Sequence, residues 1–120
     1  MSNQIRTLNS IRAVVGDDGA LIQELVGVST GAREQSLAYI AHPAGTASRP
    51  HRHSLADEIY FVLAGSGLMR IDDETSAIGT GNVIHITRGQ LHQVTNTGTE
   101  HLRLLVACAP AYTTDEVIWE

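Results

Sequence analysis

Punctuation is the feature that most constrains this chain. Short apolar runs alternate with clusters of glycine, aspartate and asparagine, and after about residue 30 no apolar stripe keeps the 3.6-residue period of a helix. Asp17-Asp18-Gly19, Gly65-Ser66-Gly67, Gly79-Thr80-Gly81 and Asn96-Thr97-Gly98 each supply residues that tolerate the positive φ of tight turns. Between the clusters lie candidate strands at Ile11–Val15, Ala20–Val28, Gln35–His42, Ala47–His53, Asp57–Ala64, Gly67–Asp72, Asn82–Ile86, His92–Asn96 and His101–Ala109. Eight or nine strands in 120 residues must close into a barrel or sandwich, so the fold class is all-β.

That length supports one hydrophobic core and leaves no room for a second domain. We expect a single domain over 1–120, with a core barrel at about 35–110, N-terminal strands or an arm over 1–34 and a tail over 110–120. The arm is ambiguous: Ile5, Leu8 and Ile11-Arg12 suit either a helical turn or a strand paired with another subunit. The tail carries the single tryptophan, Trp119, and is expected to pack across the barrel or onto a partner. A formal charge of −5, with 8 scattered arginines and no basic cluster, argues against nucleic acid as a partner. No apolar segment approaches the roughly 20 residues of a membrane span, and the start lacks a signal-like run, so neither export nor anchoring is expected. Cys108 stands alone within Leu104-Leu105-Val106-Ala107-Cys108, which reads as a buried thiol in a reducing cytoplasm.

Chemistry concentrates in two stretches. In the first, His51 and His53 flank Arg52, and because residues i and i+2 of a strand share a face, the two imidazoles project together about 7 Å apart along the chain. Ser54–Asp57 can reverse the chain, after which Glu58 opens a new strand and can add a carboxylate oxygen. In the second, a strand begun at Gly81 runs into Thr87-Arg88-Gly89, and His92 heads the next strand, where it can supply a third imidazole across the barrel. Asp57, next to Glu58, points the other way by alternation and is excluded as a ligand.

Together the stretches resemble the paired motifs of the cupin superfamily. The first motif is glycine, five residues, His-x-His, three or four residues, Glu, six residues, glycine; Gly45, His51, His53, Glu58 and Gly65 meet it in full. The second is met by Gly81, Gly89, His92 and Asn96, with Thr87 standing where the family usually has proline. That departure should loosen the turn before His92. The 15 residues between Gly65 and Gly81 leave little room for an inserted substrate loop. The resemblance, spanning roughly residues 37 to 110, implies a jelly-roll-like double-stranded β-helix holding one divalent metal ion through His51, His53, Glu58 and His92. It implies an octahedral site with one or two open positions and, commonly, a homodimer.

Three imidazoles and a carboxylate suit Fe, Mn, Ni, Zn, Co or Cu, and the ligand set does not choose among them. Tyr60 lies two residues beyond Glu58, hence on the same face, and is the candidate catalytic proton carrier. His85 is a weaker acid–base candidate; His42 and His101 sit near strand ends, where solvation is expected. Gln90 or Gln93 can brace a ligand imidazole. By parity Val62, Val94 and Leu104 line the pocket, which suits a small, fairly apolar substrate. Two functional classes remain: an enzyme, with dioxygenase chemistry leading and lyase, isomerase or cyclase chemistry behind, and a non-catalytic small-ligand binder. No segment is left for a DNA-binding output domain. Ile59, Phe61 and Leu63 make the outer face of Asp57–Ala64 apolar, which anticipates a covering partner.

Overall fold

The computed structural model describes residues 4–120. The eleven strands among them are β1 (Val14–Val15), β2 (Leu21–Val26), β3 (Ser36–His42), β4 (His51–His53), β5 (Asp57–Ala64), β6 (Ser66–Ile71), β7 (Glu74–Gly79), β8 (Val83–Ile86), β9 (His92–Asn96), β10 (Leu102–Ala109) and β11 (Val117–Trp119). They form two antiparallel sheets, one ordered β1-β2-β3-β10-β5-β8 and the other β11-β4-β9-β6-β7. This all-β architecture is the double-stranded β-helix that the motifs imply.

Alternation decides what each strand buries. Along β5, Glu58, Tyr60 and Val62 are buried while Asp57, Ile59 and Phe61 are exposed. Along β10, Leu102, Leu104, Val106 and Cys108 face inward. The register sets Glu58 opposite Cys108, Tyr60 opposite Val106 and Val62 opposite Leu104, so one row of inward side chains changes from polar to apolar along the barrel. The apolar part packs Val62, Met69, Ile78, Ile84, Leu102 and Leu104 together.

Two strands lie where the sequence analysis places none. The hairpin strand β7 sits at a sheet edge and carries Glu74-Thr75-Ser76-Ala77, all exposed, so it has no apolar alternation to betray it. The turn into it uses Asp72 at φ 52°, a left-handed position that a short Asp side chain tolerates. β11 belongs to the expected tail, which crosses onto β4 with Val117 opposite His53 and Trp119 opposite His51. Of the Gly65-Ser66-Gly67 cluster only Gly65 takes positive φ, at 98°. Gly67 already lies in β6, where a Cβ would stand 2.2 Å from the Thr95 carbonyl oxygen, so the two strands need that glycine to approach.

The N-terminal arm lies along its own chain. Leu8–Ser10 makes a single 3₁₀ turn, and Gln23 Nε2 donates to the carbonyls of Leu8 at 3.0 Å and Ile11 at 2.8 Å. Arg6 also donates to the Leu25 carbonyl. The part of the arm before residue 4 lies outside the described residues. No helix among the described residues is long and apolar enough to cross a membrane.

Candidate metal centre

Three short strands deliver four donor groups to one point. His51 and His53 flank Arg52 on β4, His92 opens β9 directly opposite His51, and Glu58 is the second residue of β5 in the other sheet. One ligand atom from each of the four lies within 4.8 Å of the others. His53, Glu58 and His92 are buried, with exposures of 2%, 5% and 0%, and His51 is half-buried. The His51 ring centroid is 4.3 Å from that of His92 and 5.2 Å from that of His53.

What each imidazole does with its other nitrogen fixes the chemistry of the cluster. Nδ1 of His51 donates to the Arg49 carbonyl at 2.8 Å, Nδ1 of His92 to the Gln90 carbonyl at 3.0 Å, and Nδ1 of His53 to Glu116 Oε2 at 2.7 Å. With Nδ1 protonated, each Nε2 of a neutral ring carries a lone pair. Nε2 of His92 and His53 lie 2.8 and 3.3 Å from Glu58 Oε1, close enough for ion pairs, yet all three atoms are buried without a hydrogen-bond partner. The contradiction is only apparent, because a neutral Nε2 and a carboxylate oxygen are both acceptors and need a positive centre between them. A transition-metal cation would supply that centre, and the donor set of imidazole nitrogens and a carboxylate oxygen suits one. The residues present therefore fit a divalent metal ion.

In the metal-free chain a protonated imidazole stands in for that positive centre beside Glu58, while His51 stays neutral. Burial lowers the His51 pKa to about 4, keeping that ring neutral and its lone pair available. Burial alone would also discourage ionisation of Glu58, but His53 and His92 outweigh it and hold the carboxyl well below its usual range. For His53 burial opposes protonation, and Glu58 and Glu116 together overcome it, raising its pKa. The other carboxylate oxygen, Glu58 Oε2, accepts from Cys108 Sγ at 3.3 Å, so the thiol orients the carboxylate with Oε1 toward the imidazoles. Cys108 is buried as the sequence led us to expect, and burial, then the nearby Glu58 charge, pushes its thiol far up, so it stays protonated.

The tail reaches deeper into this site than its composition suggests. Glu116 is 5% exposed; besides holding His53 it accepts the Ala56 N–H at Oε1, 3.1 Å, while its carbonyl accepts from Ser54 N at 2.9 Å and Ser54 Oγ at 2.8 Å. A buried carboxylate on the outer nitrogen of a ligand histidine fixes its tautomer and raises its basicity. Nothing in the spacing of the tail marks Glu116; its only signal is an acid just before the apolar Val117-Ile118-Trp119. Trp119 in turn lies against His51, with centroids 5.1 Å apart, and takes the Arg49 guanidinium over its ring at 5.2 Å.

At the turn before His92, Thr87 N–H donates to Gln90 Oε1 at 2.9 Å, a bond proline could not make. Arg88 N donates to Asp57 Oδ1 at 2.9 Å, Gly89 N to the His53 carbonyl at 2.9 Å, and Leu91 N to Asp72 Oδ1 at 3.1 Å. In place of the loosening expected from the missing ring, the turn is tied to three other parts of the barrel. Gln90 and Gln93 brace the site differently from the expectation. The Gln90 backbone carbonyl, not a glutamine side chain, holds the imidazole, and Gln93 Nε2 donates to the Ser48 carbonyl at 2.9 Å.

A cavity of about 210 Å³ opens beside the cluster, lined by His51, His53 and Glu58 and walled by apolar residues including Ile22, Ile40, Val94 and Val106. Tyr60 also lines it, fully buried, its ring edge-on to His92 at 6.1 Å. Burial, then Glu58, raises its pKa well above the usual phenol value, so the hydroxyl keeps its proton. Two expected lining residues do not line the cavity. Val62 and Leu104 are wholly buried in the apolar cluster, because parity fixes the face of a strand but not the position along it. His42 corrects the opposite error: it is 4% exposed and lines the cavity, since Ser36, Ala38, Ile40 and His42 share one face of β3. His101 is exposed as expected. His85 is exposed and lies 3.7 Å from Asp57 on the outer surface, away from the cluster.

Comparison with known proteins agrees with this picture. Residues 38–108 match the model of the cupin domain family. An uncharacterized protein of Methanocaldococcus jannaschii is 32% identical over 110 residues, covering 90% of this chain and 87% of its own. The tetracenomycin polyketide synthase protein TcmJ of Streptomyces glaucescens is 27% identical over 82 residues, covering 68% of this chain and 55% of its own. Among solved structures, the polyketide cyclase RemF of Streptomyces resistomycificus superimposes with a TM-score of 0.77 at 19% identity, over 97% of this chain and 89% of its own.

Proposed function

The chain belongs to the cupin family, and from that premise we propose that it is a metal-dependent enzyme. In this reading it binds one divalent ion through His51, His53, Glu58 and His92 and acts on a small, mainly apolar organic molecule bearing oxygen. The observation that carries the reading is the convergence of acceptor atoms without a donor at the side of an apolar cavity. Such an ion supplies Lewis-acid polarisation of a bound oxygen or a water of lowered pKa. The rest of the work falls to the chain's own side chains. Tyr60 keeps its proton at neutral pH in contact with the cavity, so its hydroxyl can donate to an oxygen or a carbanionic carbon of the bound molecule. Cys108 holds Glu58 Oε2, and Glu116 holds His53, which keeps both ligands from turning away. Ile22, Ile40 and Val106 exclude water from the space the molecule would occupy.

A protonated phenol beside the cluster favours proton-transfer chemistry, meaning cyclisation, isomerisation or elimination. Likeness to proteins named for polyketide assembly and cyclisation supports the same direction. Dioxygenation is the second reading, favoured by an imidazole-rich ligand set of the kind iron accepts. A reducing, cytoplasmic setting suits the buried Cys108 thiol. Ile59, Phe61 and Val83 are exposed on the outer face of β5 and β8, which supports a homodimer covering them; a monomer in sedimentation at micromolar concentration would overturn that part.

The test begins with elemental analysis of protein purified without chelator, where about one transition-metal ion per chain is expected. Oxygen uptake is then followed with Fe(II), and proton exchange or ring closure with Zn(II), on a panel of enols and phenols. Protein that takes up no metal overturns the reading. Oxygen consumption that needs Fe(II) selects dioxygenation, and binding without turnover makes the domain a non-catalytic binder.

A further inference from the structure

The cavity has a second polar end. Glu58 stands opposite Cys108, and Cys108 opposite Ser36, at the start of β3; His42 is the last residue of that strand, six residues further on. Its imidazole lines the same cavity, is 4% exposed, and leaves Nδ1 without a hydrogen-bond partner. The strand is pinned there from outside the cavity. Asn96 Nδ2 donates to the His42 carbonyl at 2.8 Å and to the Glu100 carbonyl at 2.8 Å, which gives the asparagine of the second motif a structural role. Asp18, half-buried in the turn before β2, also lines the cavity, with Oδ1 accepting the Ala20 N–H at 3.0 Å. Burial lowers the His42 pKa more than the Asp18 charge raises it, so the ring is neutral. A buried polar group without a partner destabilises the fold unless something in the cavity satisfies it.

We propose that His42 and Asp18 form a distal subsite, which takes the hydroxyl or amine of an elongated, mainly apolar ligand whose other end coordinates the ion held by His51, His53, Glu58 and His92. This inference rests on the reading of the cavity as the ligand site of a metal centre. A neutral imidazole donates from one nitrogen and accepts at the other, and a carboxylate only accepts. A hydroxyl satisfies both, whereas a carboxylate or phosphate on the ligand is repelled by Asp18. Asn96, which binds the His42 carbonyl, is four residues beyond His92, a strand length of about 13 Å. After a coordination bond and a hydrogen bond, that span leaves room for about two fused rings. The apolar side chains between the two ends suit such a ring system.

The test uses the zinc-loaded full chain and two probes that differ by one distal hydroxyl, 2-naphthol and 2,6-dihydroxynaphthalene, in titration calorimetry. Wild-type protein should bind the diol about tenfold more tightly, the worth of one buried hydrogen bond. His42→Phe should bring the ratio of affinities close to one with the zinc content unchanged. Asp18→Asn keeps an oxygen for the Ala20 N–H but loses the charge; it should lower the ratio partway, and it serves where the first variant fails to fold. Equal binding of both probes by wild type, or a ratio untouched by both substitutions, overturns the subsite. Zinc-free protein separates the two claims. If the diol binds equally well without zinc while the ratio still depends on His42, the subsite stands and the metal reading falls; if neither naphthol binds the zinc-loaded protein, both fall.

Discussion

Between the sheets, Val62, Met69, Ile84, Leu102 and Leu104 pack against one another as an apolar cluster at one end. Four residues away along the same two strands, the interior holds Glu58 and Cys108, with His53, His92 and Glu116 facing them. Both ends are buried. The apolar end gains free energy from every group removed from water. The polar end contains buried acceptors that leave each other unsatisfied, which costs stability in the metal-free chain. The difference teaches that the first end makes the barrel and the second uses it.

The largest effect should separate the ends outright. His92→Ala removes one acceptor from the centre of the cluster and should drop the metal content from about one ion per chain to near zero, with the β circular dichroism retained. Metal retention would break the ligand assignment. At the other end, Leu104→Ala should cost about 2–5 kcal/mol in denaturant unfolding of the metal-free protein, because Leu104 is wholly buried within the apolar cluster and its loss leaves a cavity there. Metal affinity should be unchanged within about twofold. A parallel loss of metal affinity would mean that the two ends are not separable.

How legible each region was follows from the same contrast. Period-two alternation and turn chemistry made β5, β8, β9 and β10 readable, because those strands bury one face and leave the other more open, while β3, covered on both faces, was readable as a bounded apolar run. The edge strand β7 is exposed over residues 74–77 and buries only Ile78 near its end, so burial left no alternation in it. The two motifs carried the residues that converge, since His51, His53, Glu58 and His92 sit at the offsets the motifs record, although β4 pairs with the distant β9. Glu116 and His42 were missed for opposite reasons. Glu116 reaches the site through a long-range pairing of β11 with β4, which no local spacing records. His42 sits on the inward face that its own parity indicates, but a strand end was taken for an exposed one.

A smaller effect sharpens the role of the tail. Glu116→Gln keeps an oxygen that can accept the Ala56 N–H but removes the charge from the outer nitrogen of His53. Loss of such a partner typically weakens metal binding 10–100-fold, which competition with a chelator of known affinity would measure. Glu116→Asp, which restores the charge at shorter reach, should recover part of the loss. Affinity unchanged in Glu116→Gln would show that the tail only closes the barrel.

The smallest effect concerns protons in the metal-free protein. His51 has its pKa lowered to about 4 in the folded chain and titrates near 6.5 when unfolded. Between those values the unfolded chain binds the extra proton, so stability falls as the pH is lowered through that window. Glu58 acts in the same sense at lower pH, because its depressed pKa contributes stability that is present above the ordinary value of 4.5 and lost as the pH falls. His53 opposes them: its raised pKa contributes stability that is fully present below 6.5 and lost as the pH rises through the folded value. His51→Gln removes the first contribution and leaves the apolar end untouched. The urea midpoint of chelator-treated wild type should therefore decline more between pH 7 and pH 5 than that of His51→Gln, whereas Leu104→Ala should lower the midpoint equally at both pH values. Equal pH slopes in wild type and His51→Gln would show that His51 is as free to take a proton in the barrel as in the unfolded chain, and the polar end would then be less enclosed than its burial indicates.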